Sequence, residues 1–170
     1  VYGVTQGFLP IAGFNYGAAK KQRVKETIYT AIKYAALVAT LVFVILMVFP
    51  AELAGLFLSD RTDLPEKEVV ANTYVLENAP FAMRMVFLAT PIIALQLIGA
   101  AYFQAIGKAR PALLLTLTRQ GFFFIPLILI LPNFIGALGV WLSFPIADVL
   151  ATIVTGWYLR KEIRATLSEP

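Results

Sequence analysis

Glu77, Arg84, Gln96, Gln104, Arg119, Gln120 and Asp148 stand within or at the edges of long uncharged stretches of this 170-residue chain. Ionisable groups in such surroundings are costly unless they face a partner or a wet cavity, so each is a candidate for function. At 1.5 Å of helical rise per residue, Arg119 lies about eight residues, roughly 12 Å, inside one apolar run; Asp148 lies about eleven residues, roughly 16 Å, inside the next. The matched depths imply an ion pair between neighbouring antiparallel helices, with a structural role preferred over a coupling role. Glu77 and Arg84 are two helical turns apart on one face. Glu77 reads either as an attraction point for cations or as a solvated interfacial group, with Arg84 paired to an acceptor in a cavity; the second reading is preferred. Gln96, Gln104 and Gln120 are neutral and suit bonds between helices or the lining of a cavity. Phe122, Phe123 and Phe124 point in three directions around a helix, so one or two at most can line a pocket.

The elements that hold these groups follow from where charge is missing. Residues 1–19, 34–51, 85–107 and 120–147 carry no charged side chain. A bilayer core about 30 Å thick needs a helix of roughly 20 apolar residues. The composition agrees: 59% hydrophobic and 14% charged, with a mean hydropathy of +0.79, against about 25% charged residues in ordinary soluble domains. The expected fold is all-α, a polytopic helical membrane bundle. Residues 1–17 form the end of one membrane helix. Residues 27–49, 78–103, 111–131 and 137–159 form complete ones, and 51–76 form an outer loop with a lead-in helix. Gly3 and Gly7 have the spacing of close helix packing in lipid. Pro10 should kink the first helix, and Pro80 and Pro91 should bend the 78–103 span. Because the chain opens inside a helix, it reads as a C-terminal piece of a larger protein.

Charge sets the orientation. Lys20, Lys21, Arg23 and Lys25 cluster in one short stretch, Lys108 and Arg110 in another, and Arg160, Lys161 and Arg164 near the end. A single helix across 120–147 would put the last cluster opposite the others. A hairpin turned at Pro132, Asn133 and Gly136 puts all three on one side, as the positive-inside rule prefers. That side, with the C-terminus, is then cytoplasmic. Trp157 and Tyr158 fit an aromatic belt there. The stretch with Glu52, Asp60, Asp63, Glu66 and Glu68 faces outward. The net charge of +4 is thereby explained by the membrane, with no nucleic-acid partner.

Cysteine and histidine are absent, which removes thiol nucleophiles and the commonest zinc ligands. No stretch matches a phosphate-cradling G-x-x-x-x-G-K-[ST] loop. Neither enzymatic chemistry nor ATP use is encoded, and no metal or cofactor is expected.

Gln6-Gly7-Phe8-Leu9-Pro10-Ile11-Ala12-Gly13-Phe14-Asn15-Tyr16-Gly17-Ala18 followed by a basic run, Phe103-Gln104-Ala105-Ile106-Gly107-Lys108-Ala109-Arg110-Pro111, Thr118-Arg119-Gln120 and Trp141-Leu142-Ser143-Phe144-Pro145-Ile146-Ala147-Asp148 occur in that order. Together they resemble the C-terminal half of multidrug and toxin extrusion (MATE) transporters. The resemblance covers nearly the whole chain. Gln6, Pro10, Gly13, Asn15, Tyr16 and Gly17 match the family-like segment that closes helix eight, so this chain would supply the end of helix eight and helices nine to twelve. The resemblance implies two six-helix lobes that rock against each other in a plasma (inner) membrane. They would exchange small organic cations for protons or sodium ions, with the missing N-terminal lobe of the same polypeptide as the second wall. Some sodium-coupled members carry an acidic residue in helix ten where this chain has Ile93. That puts a sodium site in this lobe in doubt. A lipid-linked oligosaccharide flippase of the same superfamily is the alternative, and a non-transporting membrane scaffold or an enzyme subunit the third reading.

Overall fold

The computed structural model describes residues 2–57 and 66–167. The helices are α1 (Tyr2–Gly17), α2 (Lys21–Val48), α3 (Pro50–Phe57), α4 (Glu66–Val86), α5 (Ile93–Ala105), α6 (Ala109–Leu117), α7 (Ile125–Ile135) and α8 (Ala137–Glu162). A 3₁₀ turn at Thr90–Ile92 precedes α5, a π-helical segment at Thr118–Phe124 joins α6 to α7, and a π turn at Ile163–Leu167 continues α8. Four continuous or nearly continuous stretches are long and apolar enough to cross a membrane: Lys21–Val48, Thr73–Ala105, Ala109–Ile135 and Ala137–Leu167. Their outer faces carry large apolar side chains open to the surroundings, such as Leu129 at 67% and Phe134 at 82% exposure. Water would oppose that much bare hydrocarbon; lipid does not.

The core is built largely of small residues. Ala12, Ala31, Ala35, Ala94, Ala100 and Ala101 are buried together with Ile28, Ile98, Tyr102 and Phe103. Small side chains let helix backbones approach where no hydrophobic effect drives them together. α5 is the centre, packed against α1, α2, α6 and α8.

α6, the π segment and α7 fold back against α8 as a hairpin. Leu131 lies against Gly139, Phe124 against Phe144 and Arg119 against Asp148, so the two legs are antiparallel. The turn is made by Gly136 at φ 60°, ψ −143°, a region open essentially to glycine alone. A Cβ at Gly139 would come within 2.7 Å of the Leu131 carbonyl oxygen, so the legs meet backbone to backbone.

Members of the three basic clusters meet at one end of the bundle. Lys108 Nζ lies 2.6 Å from Glu162 Oε1, and Lys25, Arg160 and Arg164 line one hollow.

Several sequence expectations are refined. Lys21, Arg23 and Lys25 lie in the first turns of α2 rather than in a loop; the only break is a tight turn at Ala18–Lys20, with Ala19 at φ 56°. Gly3 and Gly7 have nothing near their missing Cβ positions, so that spacing packs no helix among the described residues. The close approach falls at Gly13, where a Cβ would come 3.0 Å from the Ala105 carbonyl oxygen. α1 runs on through Pro10 and α4 through Pro80. At Pro91 the α-helix is interrupted: Thr90 and Ile92 donate to carbonyls three residues back. Proline lacks an N–H and disfavours α geometry in the residue before it. Pro50 ends α2 and starts α3, as a first-turn proline can. Asp60, Arg61 and Asp63 of the acidic stretch lie outside the described residues.

Candidate functional site

The site grows from the widened turn between α6 and α7. Thr116 and Thr118 hydroxyls donate to the Ala112 and Leu114 carbonyls at 2.8 and 2.6 Å. After them the backbone shifts to five-residue bonds, with Ile125 N–H reaching the Gln120 carbonyl. Such π-bulges re-aim side chains and recur at functional sites. Here the segment carries Arg119, and Arg119 Nε donates to Asp148 Oδ1 of α8 while Nη2 lies 3.4 Å from Oδ2. Asp148 is 3% exposed and Arg119 33%. The pairing read from the sequence is therefore present, held by both forks of the guanidinium.

Beside the pair is a cavity of about 100 Å³ lined by Arg119, Gln120, Phe124, Phe144, Ala147 and Asp148. The Phe124 and Phe144 ring centroids are 4.6 Å apart and tilted by 52°. Of the three consecutive phenylalanines, Phe124 is the one that lines this cavity. A carboxylate and two aromatic rings lining one cavity are suited to flat organic cations, which rings attract through their quadrupole, and to a proton. The guanidinium balances the carboxylate in the absence of either.

The other candidates are dispersed. Gln96 is buried, and its Nε2 makes a long, 3.5 Å contact with the Leu115 carbonyl, crossing from α5 to α6; its Oε1 has no partner among the described residues. Gln104 is exposed and Gln120 is exposed at the cavity mouth. Glu77 is exposed. Arg84 Nε donates to the Met47 carbonyl at 3.2 Å, tying α4 to the end of α2 rather than meeting an acceptor in the cavity. Of the family-like segment, Asn15 Nδ2 donates to the Ile11 carbonyl at 2.8 Å, Gly13 packs on Ala105, Tyr16 is half-buried, and Gln6, Pro10 and Gly17 are exposed. Ile93 is the first residue of α5, directly after the Pro91 break.

Sequence reasoning missed Thr152 and Thr155. Both are buried, and neither hydroxyl has a hydrogen-bond partner among the described residues. With Asp148 they lie four and seven residues apart, on one face of α8. That spacing was a usable signal. It also missed the Lys108–Glu162 pair, whose members are 54 residues apart.

The MatE family model matches residues 1–130. A solved chain called "protein A" is 36% identical; the match covers 97% of this chain and 34% of that one, with a TM-score of 0.81. An inward-facing multidrug resistance MATE family transporter of the MOP superfamily is 22% identical over 95% of this chain and 35% of its own, at a TM-score of 0.82. A MOP superfamily transporter from Pyrococcus furiosus, described as having a binding pocket of reverse polarity that suggests a different function, is 22% identical over 97% and 35%, at 0.85. The last two likenesses concern fold alone. The chain spans about a third of the length of these structures. No curated protein matches it.

Proposed function

This chain belongs to the MatE (multidrug and toxin extrusion) family of membrane transporters, and on that premise we propose that it forms one wall of a cavity that exports organic cations by alternating access. The buried Arg119–Asp148 pair beside the Phe124–Phe144 wall carries the reading. Buried charge within a spanning helix is retained where it serves a pathway or a partner. In this reading Asp148 recognises positive charge, the rings recognise a flat apolar body, and Arg119 stands in for the cargo while the cavity is empty. Inward movement of protons or sodium ions drives the cycle, and a further lobe of the same polypeptide supplies the opposite wall. The basic end, with Lys108, Arg160 and Arg164, faces the cytoplasm of a cell bounded by this plasma (inner) membrane.

The test uses the full-length protein in an efflux-deficient host loaded with a fluorescent aromatic cation. Expression should lower accumulation several-fold, and collapse of the ion gradient should restore it. Equal accumulation with and without the protein would remove the export reading; a lipid-linked oligosaccharide flippase would give that result.

A further inference from the structure

At the basic end of the bundle, away from the Arg119–Asp148 cavity, a hollow of about 410 Å³ opens between α2, α5 and α8. Its α2 wall is Lys25, Ile28, Tyr29 and Ile32, spaced to lie on one helix face. Its α8 wall is Gly156, Leu159 and Arg160, continued by Ile163 and Arg164 of the π turn. The polarity is graded along the membrane normal. Ile32, Leu95 and Gly156 lie at the deep end, and Lys25, Arg160 and Arg164 at the shallow end, where the apolar spans give way to charge. Gly156 lets α8 lie close to α5 there: a Cβ would already touch the Leu95 side chain, at 3.4 Å. Among the described residues, Glu162 and Glu26 have partners outside the hollow. Glu162 takes Lys108 at 2.6 Å and Thr166 at 2.8 Å, and Glu26 takes Gln22 at 3.0 Å.

Arg160 and Arg164 also border a second hollow of about 570 Å³, with Trp157 and Lys161. Lys161 Nζ stands 5.4 Å from the Trp157 ring centre, and Trp157 is 59% exposed. Tryptophan in this position marks headgroup level.

We propose that the α2–α8 hollow is a binding site for an anionic phospholipid, its phosphate held by Lys25 and Arg160 and one acyl chain laid over Ile32, Leu95 and Gly156. Charge complementarity selects the headgroup, since basic pockets between spanning helices on the cytoplasmic side suit acidic lipids. The apolar depth selects a lipid over free phosphate, which would leave that depth bare. The inference needs only that the basic end lies at a leaflet surface; it does not rest on the cation-export reading.

The full-length protein, purified in detergent, is offered equal amounts of dioleoyl-phosphatidylglycerol and dioleoyl-phosphatidylcholine, and the retained lipid is counted by native mass spectrometry. The wild type should prefer phosphatidylglycerol about tenfold, the scale of one to two surface cations acting on an acidic lipid. The double variant Lys25→Gln, Arg160→Gln should bring that preference to near unity. Lys20→Gln, Arg110→Gln removes the same charge from the same end outside the hollow and should keep it. Millimolar inorganic phosphate should not displace the lipid. Four outcomes each overturn the proposal: no preference in the wild type, equal loss in both double variants, displacement by phosphate, or a preference untouched by Lys25→Gln, Arg160→Gln. The last is expected if another part of the longer polypeptide fills the hollow.

Discussion

Arg119 and Asp148 show what one pair can be asked to do in lipid. Asp148 is almost wholly enclosed and Arg119 mostly so. Removing either partner strands the other charge, which costs about 3–5 kcal/mol in buried pairs, whereas replacing both with apolar residues of similar volume is far milder. Asp148→Ala and Arg119→Ala should therefore each lower the melting temperature of the purified full-length protein. The double variant Arg119→Met, Asp148→Leu should melt above both singles, a coupling visible in a double-mutant cycle. If the double variant is stable yet exports nothing, the pair serves transport as well as packing. This pair was legible because helical rise converts residue number into depth. Gln104 was less legible: depth says nothing about which face a residue takes, and Gln104 is exposed.

At the scale of elements, the hairpin is the most informative feature. Its two legs meet where Gly136 turns the chain and Gly139 admits the Leu131 backbone. Gly136→Ala would force a Cβ into a backbone conformation that only glycine tolerates well, a penalty of about 1–3 kcal/mol. The expected result is a clear drop in melting temperature of the full-length protein; an unchanged melt would mean the turn relaxes freely. The turn was readable from Pro132, Asn133 and Gly136 because charge on both flanks demanded that the chain return. The π segment at Thr118–Phe124 was not readable. Apolar side chains on both sides of it satisfy an α pattern equally well, and nothing in residue type announces one extra residue in a turn. The break at Thr90–Ile92 was half readable: Pro91 announces a disturbance, but whether a helix bends or stops depends on its neighbours, here α2 and α8.

For the whole molecule, segregation of charge is the organising fact. The basic stretches meet at one end though they are far apart in sequence, as Lys108–Glu162 and the Lys25–Arg160 hollow record. This chain has no cysteine, so single probes are clean once the rest of the protein is made cysteine-free. Asn133→Cys should react with an impermeant maleimide in intact cells, and Ala165→Cys only after permeabilisation. The reverse pattern would invert the orientation. The helix ends moved, α2 starting at Lys21 and α8 running to Glu162, but the helical class and the four membrane-length helices came from charge and length alone, because lipid punishes both errors heavily. The packing order of those spans did not, since apolar faces turned to lipid and to protein look alike.

The central position of α5 has a consequence for how the protein is made. Synthesis delivers helices to the bilayer in sequence, yet α1 and α2 both rest on α5, which emerges after them, and α5 in turn rests on α6 and α8. The early helices must dwell in the translocation machinery or in lipid as a loose pair. The keystone reaches them only later, and the clasps between Arg119 and Asp148 and between Lys108 and Glu162 close only after α8 has been inserted.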